Sequence, residues 1–361
     1  MTTQAVDQTG PDPIGRPPAV NPSGGHAWRL RSRLPVLFAL STTILILLCI
    51  ASLLTGARAV APSTGFDALF AYDPASAEHI IIRDYRLPRT LLGLLCGAAF
   101  GVSGALIQAV TRNPLADPGI LGVNAGAAFF VTLAVGLLGF HAISSYLWFA
   151  FLGAIAMALV VYAVGSRGRD GASPARLVLS GVALSAVLGG IGSAITLLDP
   201  RAFDGLRVWS IGSLSGRNMD VVLTVAPFII CGLVLSLCVA PSLNAVALGD
   251  DPSRALGVNL VHTRILVVIA VTLLAGAATA AAGPIGFIGL MVPHVVRWLS
   301  GPDQRWIIAF TVLCSPILLL TADIAGRLVL FPGELEAGIV TAFIGAPVLI
   351  ALARRQRASG L

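Results

Sequence analysis

Lysine is missing from this chain: all 23 basic residues are arginine. A Walker A phosphate loop is thereby excluded, since its lysine reaches the terminal phosphates, and so is a Schiff-base lysine. If ATP drives this protein, another chain must bind it. Charge of either sign is scarce at 11% of residues, against about 25% in an ordinary soluble domain. No polar stretch approaches the roughly 50 residues of a small domain. The five cysteines (Cys49, Cys96, Cys231, Cys238 and Cys314) all lie in apolar runs, where cysteine acts as a small hydrophobe. They suggest no disulfide framework. The five histidines show no pair at ligand spacing, so no metal site is read. HExxH and GxSxG motifs are absent, which argues against a membrane enzyme.

What the chain has is apolar length. Hydrophobic residues make up 56% and mean hydropathy is +0.90, so lipid is the solvent for most of it. Apolar runs lie at Leu34–Leu54, Leu91–Val110, Ile120–Phe140, Ile143–Val164, Leu177–Leu198, Val221–Ala240, Ile265–Ala282, Ile285–Leu299, Trp306–Thr321 and Ala337–Leu352. A membrane span needs about 20 residues; the last three runs are short or broken by Gly or Pro. The expected fold is an all-α integral membrane protein of ten transmembrane helices with both termini cytoplasmic. That count puts 15 arginines and 7 acidic residues inside, with 8 arginines and 10 acidic residues outside, which together give the net +6. The arginine bias follows the positive-inside rule. Residues 1–33, rich in Pro and Gly, read as a disordered cytoplasmic tail, residues 34–355 as the membrane domain and 356–361 as a cytoplasmic C-terminal tail. Ala57-Arg58-Ala59 faintly resembles a signal-peptidase site, but the preceding run is too long for a signal sequence, so a retained helix is expected.

Gly93, Gly97 and Gly101 repeat every four residues and predict a close helix–helix packing face; Gly181, Gly189 and Gly192 invite the same reading. Arg86 and Arg89 stand outside, against the charge bias and near a predicted helix N-terminus, where a cation opposes the dipole. Their spacing puts both on one face. An acidic external partner explains them; so does snorkelling to lipid headgroups, or pairing with Asp84. Asn113-Pro114 and Asp117-Pro118 form a tight inner turn, with Asp117 as N-cap and Pro118 in the first helical position. A plain turn accounts for the prolines and Asp117, whereas Asn113 could line a pathway. In the inner loop 243–264, Asp251 is expected to cap a short helix that shows Arg254 and Leu256 and stops at Gly257. It is either a docking knob or an idle connector. The run 283–289 (GPIGFIG) breaks the membrane pattern near the outer face, which requires protein or a water-filled cavity around it. Asp323, Arg327, Glu334 and Glu336 gather at outer span ends, and Asp323 and Arg327 can pair at i, i+4.

The stretches RLPRTLLGLLCGAAFGVSGALIQAVTRNPLADPGILGVNAG, LNAVALGDDPSRALGV, GPIGFIGLMVPHVVR, LTADIAGR and GELEAGIVTAFIGAPVLI resemble the FecCD family, permease subunits of type II ABC importers for ferric siderophores, heme and cobalamin. The resemblance covers about residues 35–355, and FDGLRVWSIGSLSGR looks most like the siderophore branch. It implies two permease subunits around one pathway in a bacterial cytoplasmic membrane, the second being a paralogue rather than a copy. Two ABC ATPase subunits would carry ATP and Mg, with no cofactor on this chain and no nucleic acid. An extracytoplasmic siderophore-binding lipoprotein would dock on Arg86, Arg89 and Arg327. The ATPase would couple through Gly249, Asp250, Asp251, Arg254, Leu256 and Gly257. Asn113 and Ser173 match cytoplasmic gate positions. The chain itself would catalyse no reaction. An ion-coupled secondary transporter is the competing class; it needs an ionisable group near mid-membrane.

Overall fold

The computed structural model describes residues 24–56, 60–140, 142–167, 174–331 and 333–358. Ser173, Arg58 and residues 1–23 of the polar tail lie outside the described residues. Every regular element among the described residues is helical. The order is α1 (Gly24–Leu54), α2 (Pro62–Phe70), α3 (Ala77–Ile80), a π-helical turn (Ile81–Arg86), α4 (Leu87–Thr111), a 3-10 turn (Pro118–Leu121), α5 (Val123–Gly136), α6 (Ile143–Gly165), α7 (Pro174–Leu198), α8 (Pro200–Ser210), α9 (Met219–Val246), α10 (Asp250–Ala255), α11 (Leu260–Ala282), α12 (Ile288–Ser300), α13 (Gln304–Val329) and α14 (Ala337–Ala358).

Each of the ten apolar runs holds a helix. Seven helical stretches are long and apolar enough to cross a membrane; α5 and α14 offer shorter apolar stretches, and α12 has only 13 residues. The helices start where the sequence supplies caps. The side chains of Ser76, Asn218, Asn259 and Asp303 accept first-turn amides ahead of α3, α9, α11 and α13. Left-handed residues precede the short helices: Gly122 (φ 71°) before α5 and Phe287 (φ 68°) before α12.

α4 is the axis of the bundle, packed among α9, α11, α12 and α13. Of its apolar stretch 83% is buried, against 6% for α1 and 11% for α7. The glycine repeat explains how neighbours come so close. A Cβ at Gly97 would lie 2.6 Å from the Pro316 Cα of α13, and one at Gly104 would overlap the Gly289 backbone of α12. In α7 the three glycines divide: Gly181 and Gly192 are buried, whereas Gly189, like its neighbour Gly190, meets nothing within 4 Å. The Gly189 face is open in the single chain.

Two further expectations change. α4 does not begin near Arg86. It continues α3 through the π turn, so the helix starts at Ala77. The Leu87 amide reaches back five residues to the Ile82 carbonyl, a wide turn just ahead of Pro88, which has no amide to give. The break at 283–287 also reaches well along α4 rather than staying at the end where α4 begins. It starts against Gly212, where the Ser213 amide donates to the Ala282 carbonyl at 2.7 Å, and it hands over to α12, whose second residue, Gly289, lies on Gly104, past the midpoint of α4. Gly283 and Ile285 are buried in it, whereas Gly286 is exposed beside a small void, and non-helical backbone at membrane depth needs protein or such a cavity around it.

Candidate functional site

At the end of the bundle where α4 begins, four arginines surround a cavity of about 260 Å³. Arg86, Arg89, Arg217 and Arg327 line it with Ser215, Tyr85 and Glu334. The π turn supplies Arg86, α4 Arg89, α13 Arg327, and the turn before α9 Arg217. Arg89 is gripped from below by Asp323: its Nε lies 3.1 Å from each carboxylate oxygen and Nη2 lies 2.8 Å from Oδ1. Its Nη1 donates to Glu334 Oε2 at 2.7 Å. Asp323 also takes the i, i+4 ion pair from Arg327, so one carboxylate serves two guanidinium groups. Asp323 is fully buried, whereas the Glu334 side chain keeps 33% of its surface exposed.

The arginines are also structural. The last carbonyls of α1 have no amide partners within the helix. Arg86 Nη1 donates to the Leu53 and Leu54 carbonyls at 2.9 and 2.8 Å. Arg327 Nη1 donates to those of Ser52 and Thr55 at 2.8 and 3.1 Å. Cations at a helix C-terminus interact favourably with its dipole. The arginines therefore cap α1, and because the α3–α4 helix begins at Ala77 they do not oppose an N-terminal dipole. Asp84 is exposed, and Arg89 pairs instead with acids from α13 and the loop after it. Arg217 donates from Nε to the Ala281 carbonyl at 2.7 Å, next to the end of α11 at Gly283.

At the opposite end, α4 closes on Arg112 in a left-handed conformation (φ 52°). Asn113 follows, exposed, with its Oδ1 accepting the Leu115 amide at 3.0 Å. This is an Asx turn, so a plain turn accounts for Asn113 as well. Asp117 caps the 3-10 turn by accepting the Gly119 amide at 2.7 Å, with Pro118 in its first position as expected. Asp117 also lines a small void with Phe100, Asn124 and Gly286.

The short helix expected in the loop 243–264 is present as α10, with its N-cap two residues earlier than expected. Gly249 (φ 116°) is its N-cap, Asp250 its first residue and Gly257 (φ 80°) follows its end. Asp251 is therefore not the cap; it sits exposed in the first turn, 3.4 Å from Arg254. Leu256 is an apolar residue with 65% of its surface in the open. Asp250 bridges outward: Arg112 meets its Oδ1, and Arg264 Nη2 lies 2.9 Å from its Oδ2. Ser253 Oγ donates to the Ala245 carbonyl at 2.8 Å, fixing α10 to the end of α9.

The structure thus gathers Arg86, Arg89 and Arg327 at one cavity and the six loop residues on one projection, with Asn113 beside the latter through Arg112. Sequence reading missed Arg217 as a cavity residue and Arg112 and Arg264 as partners of Asp250. The one available hint for Arg217 was another arginine on the side the charge bias disfavours.

The FecCD transport family model matches residues 44–355. Ferric enterobactin transport system permease protein FepD of Escherichia coli (strain K12) is 49% identical over 321 residues, covering 88% of this chain and 95% of that protein. Fe(3+)-citrate import system permease protein YfmD of Bacillus subtilis (strain 168) is 42% identical over 329 residues, covering 91% and 97%. A solved metal-chelate type ABC transporter in an inward-facing conformation superposes with a TM-score of 0.78 at 26% identity, covering 89% of this chain and 99% of that one. A central buried helix, an arginine cavity at one end, an exposed loop helix at the other and a family match along most of the sequence agree: the chain belongs to the FecCD transport family.

Proposed function

We propose that this chain moves a ferric siderophore into the cytoplasm as one of two permease subunits in an ABC importer. As a FecCD permease it is a membrane transport component that works with separate ATPase subunits. The observation that carries the substrate class is the 49% identity to a ferric enterobactin permease along nearly the whole of both chains. In this reading all ten apolar helices span, both termini are cytoplasmic, and the Arg89 end faces outward. Two ATPases hydrolyse MgATP and grip the permeases at α10, where exposed Leu256 supports a docked partner. A paralogous permease packs on the open glycine face of α7, and the pathway runs between the two.

The extracytoplasmic binding protein, a lipoprotein, docks at the arginine cavity. Four arginines stand there against Asp323 and Glu334, an excess of positive charge that suits an incoming carboxylate. Asp323 is sealed in, but Glu334 is partly exposed and occupies Arg89 from the open side. An acidic side chain of the binding protein replaces Glu334 on Arg89. Asn113, at the inner end of the same helix, works as a cytoplasmic gate with a turn that α10 can move.

The test is uptake of radiolabelled ferric enterobactin, heme and cobalamin by a strain lacking this gene and by the complemented strain. Siderophore uptake restored by the gene supports the reading. Restored uptake of heme or cobalamin alone overturns the substrate, and uptake that survives ATP depletion overturns the importer class.

A further inference from the structure

We propose that Asp250 is the positioning residue that carries movement of α10 to the inner end of α4, through Arg112, and so to the Asn113 turn. This rests on reading α10 as the element that the ATPases grip.

Three observations meet at one carboxylate. Asp250 opens α10 and commits a different oxygen to each of two other helices: Oδ1 to Arg112 at the end of α4, and Oδ2 to Arg264 near the start of α11. A carboxylate held at both oxygens has little rotational freedom, so it transmits displacement where an apolar contact would slide. Arg112 is one of two non-glycine residues with positive φ among the described residues. Strain of that kind persists only where surrounding contacts hold it, and it gathers at segments that switch. The next residue, Asn113, closes the Asx turn that leads into the 3-10 turn and α5. Finally, α10 is anchored at its base, where Ser253 holds the Ala245 carbonyl of α9. A pull on the exposed tip at Leu256 therefore pivots α10 about Ser253 and shifts Asp250, which takes Arg112 with it. α4 is largely buried and runs without interruption from Leu87 to Thr111, so the shift has a continuous path to Arg89 at the far end of the bundle.

The experiment uses the whole transporter, purified with its ATPases and partner permease and rebuilt in lipid vesicles with its binding protein and ferric enterobactin as the probe. The readout is chelate imported per ATP hydrolysed, which a merely structural loss of protein would not change. Asp250→Ala and Arg112→Ala each lower that ratio about ten-fold, the scale of one coupling interaction. The double variant is no worse than the worse single, because both remove the same link. Asp250→Glu keeps most of the ratio. An unchanged ratio in Arg112→Ala, or losses that multiply in the double variant, overturns the proposal. Arg112 is partly exposed, so its variant remains informative even where Asp250→Ala fails to assemble. A separate arm tests the underlying reading: Leu256→Asp releases the ATPases on purification. ATPases that stay bound and coupled in Leu256→Asp overturn the role of α10 itself, whatever Arg112→Ala does.

Discussion

Arg89 on α4 and Asp323 on α13 form a buried two-point ion pair, with contacts of 2.8 and 3.1 Å between residues 234 positions apart in the chain. The pair closes the bundle's central contact at one end, above the glycine face where α4 and α13 lie backbone to backbone. It also fixes the guanidinium group so that one edge remains turned to the cavity and to Glu334. If the binding protein docks as proposed, packing and docking share a residue but use different nitrogens of it.

Asp323→Asn tests the packing half. Removing one partner of a buried pair strands the other charge, at a cost of about 3–5 kcal/mol. Here two guanidinium groups, those of Arg89 and Arg327, lose their common acid. The expected result is a large fall in unfolding temperature in detergent, read by size-exclusion chromatography after heating. A variant that unfolds with the wild type would mean that the pair contributes nothing to the fold.

Glu334→Gln tests the docking half. Its side chain is one-third exposed, and ion pairs of that kind contribute about 0–1 kcal/mol. Stability should barely move. If Glu334 holds the place of an incoming carboxylate, its neutralisation leaves Arg89 more available, and the binding protein should bind several-fold more tightly at low salt, with the gain fading as salt screens it. Weaker or unchanged binding by surface plasmon resonance would remove the cavity from the docking surface.

Much of this was legible in the sequence, and what was not has identifiable causes. Long apolar runs bounded by Asn, Asp and Ser dictate helices in any low-dielectric surrounding, and each run became one. The role of Arg86 and Arg89 was harder to read. A π turn leaves no mark in a 3.6-residue pattern, so the helix looked as if it started at the arginines rather than at Ala77. Their true partners, the end of α1 and residues on and after α13, are brought near only by the tertiary fold. Gly249 illustrates a smaller limit. A backbone at φ 116° can start a helix without a capping side chain, which moved the N-cap of α10 two residues ahead of Asp251. Gly189 illustrates the converse, since glycine spacing reveals a smooth face but not whether this chain or another covers it.

Gly97→Val and Gly189→Val should separate those two kinds of glycine. At Gly97 the added carbons meet Pro316 Cα and N, backbone atoms that cannot step aside, and overpacking of this sort costs about 1–3 kcal/mol or more. A Cβ at Gly189 meets nothing within 4 Å. The expected outcome is poor folding of the Gly97 variant alone. The Gly189 variant should yield a stable subunit that pairs badly with its partner permease, visible as loss of the complex in native mass spectrometry. Intact complex from both would disconnect α7 from the permease interface.

Asn113 can be assigned by choosing substitutions that keep or remove its turn. The side chain accepts the Leu115 amide at 3.0 Å, and an aspartate can accept the same bond. Asn113→Asp should therefore preserve the fold, while Asn113→Ala loses the bond at about 1 kcal/mol. A turn without further duty predicts that the aspartate variant transports like the wild type and the alanine variant is slightly less stable. A gate predicts a different pattern. Two copies of a charged residue facing each other across a closed pathway would repel, so if the partner permease carries the same change at its matching position, the aspartate pair should leak a small fluorescent anion from sealed vesicles without ATP. The alanine pair, lacking charge, should leak less. Equal and tight vesicles for all three proteins would return Asn113 to the role of a turn residue and leave Arg112, its neighbour, as the point where α4 answers to α10.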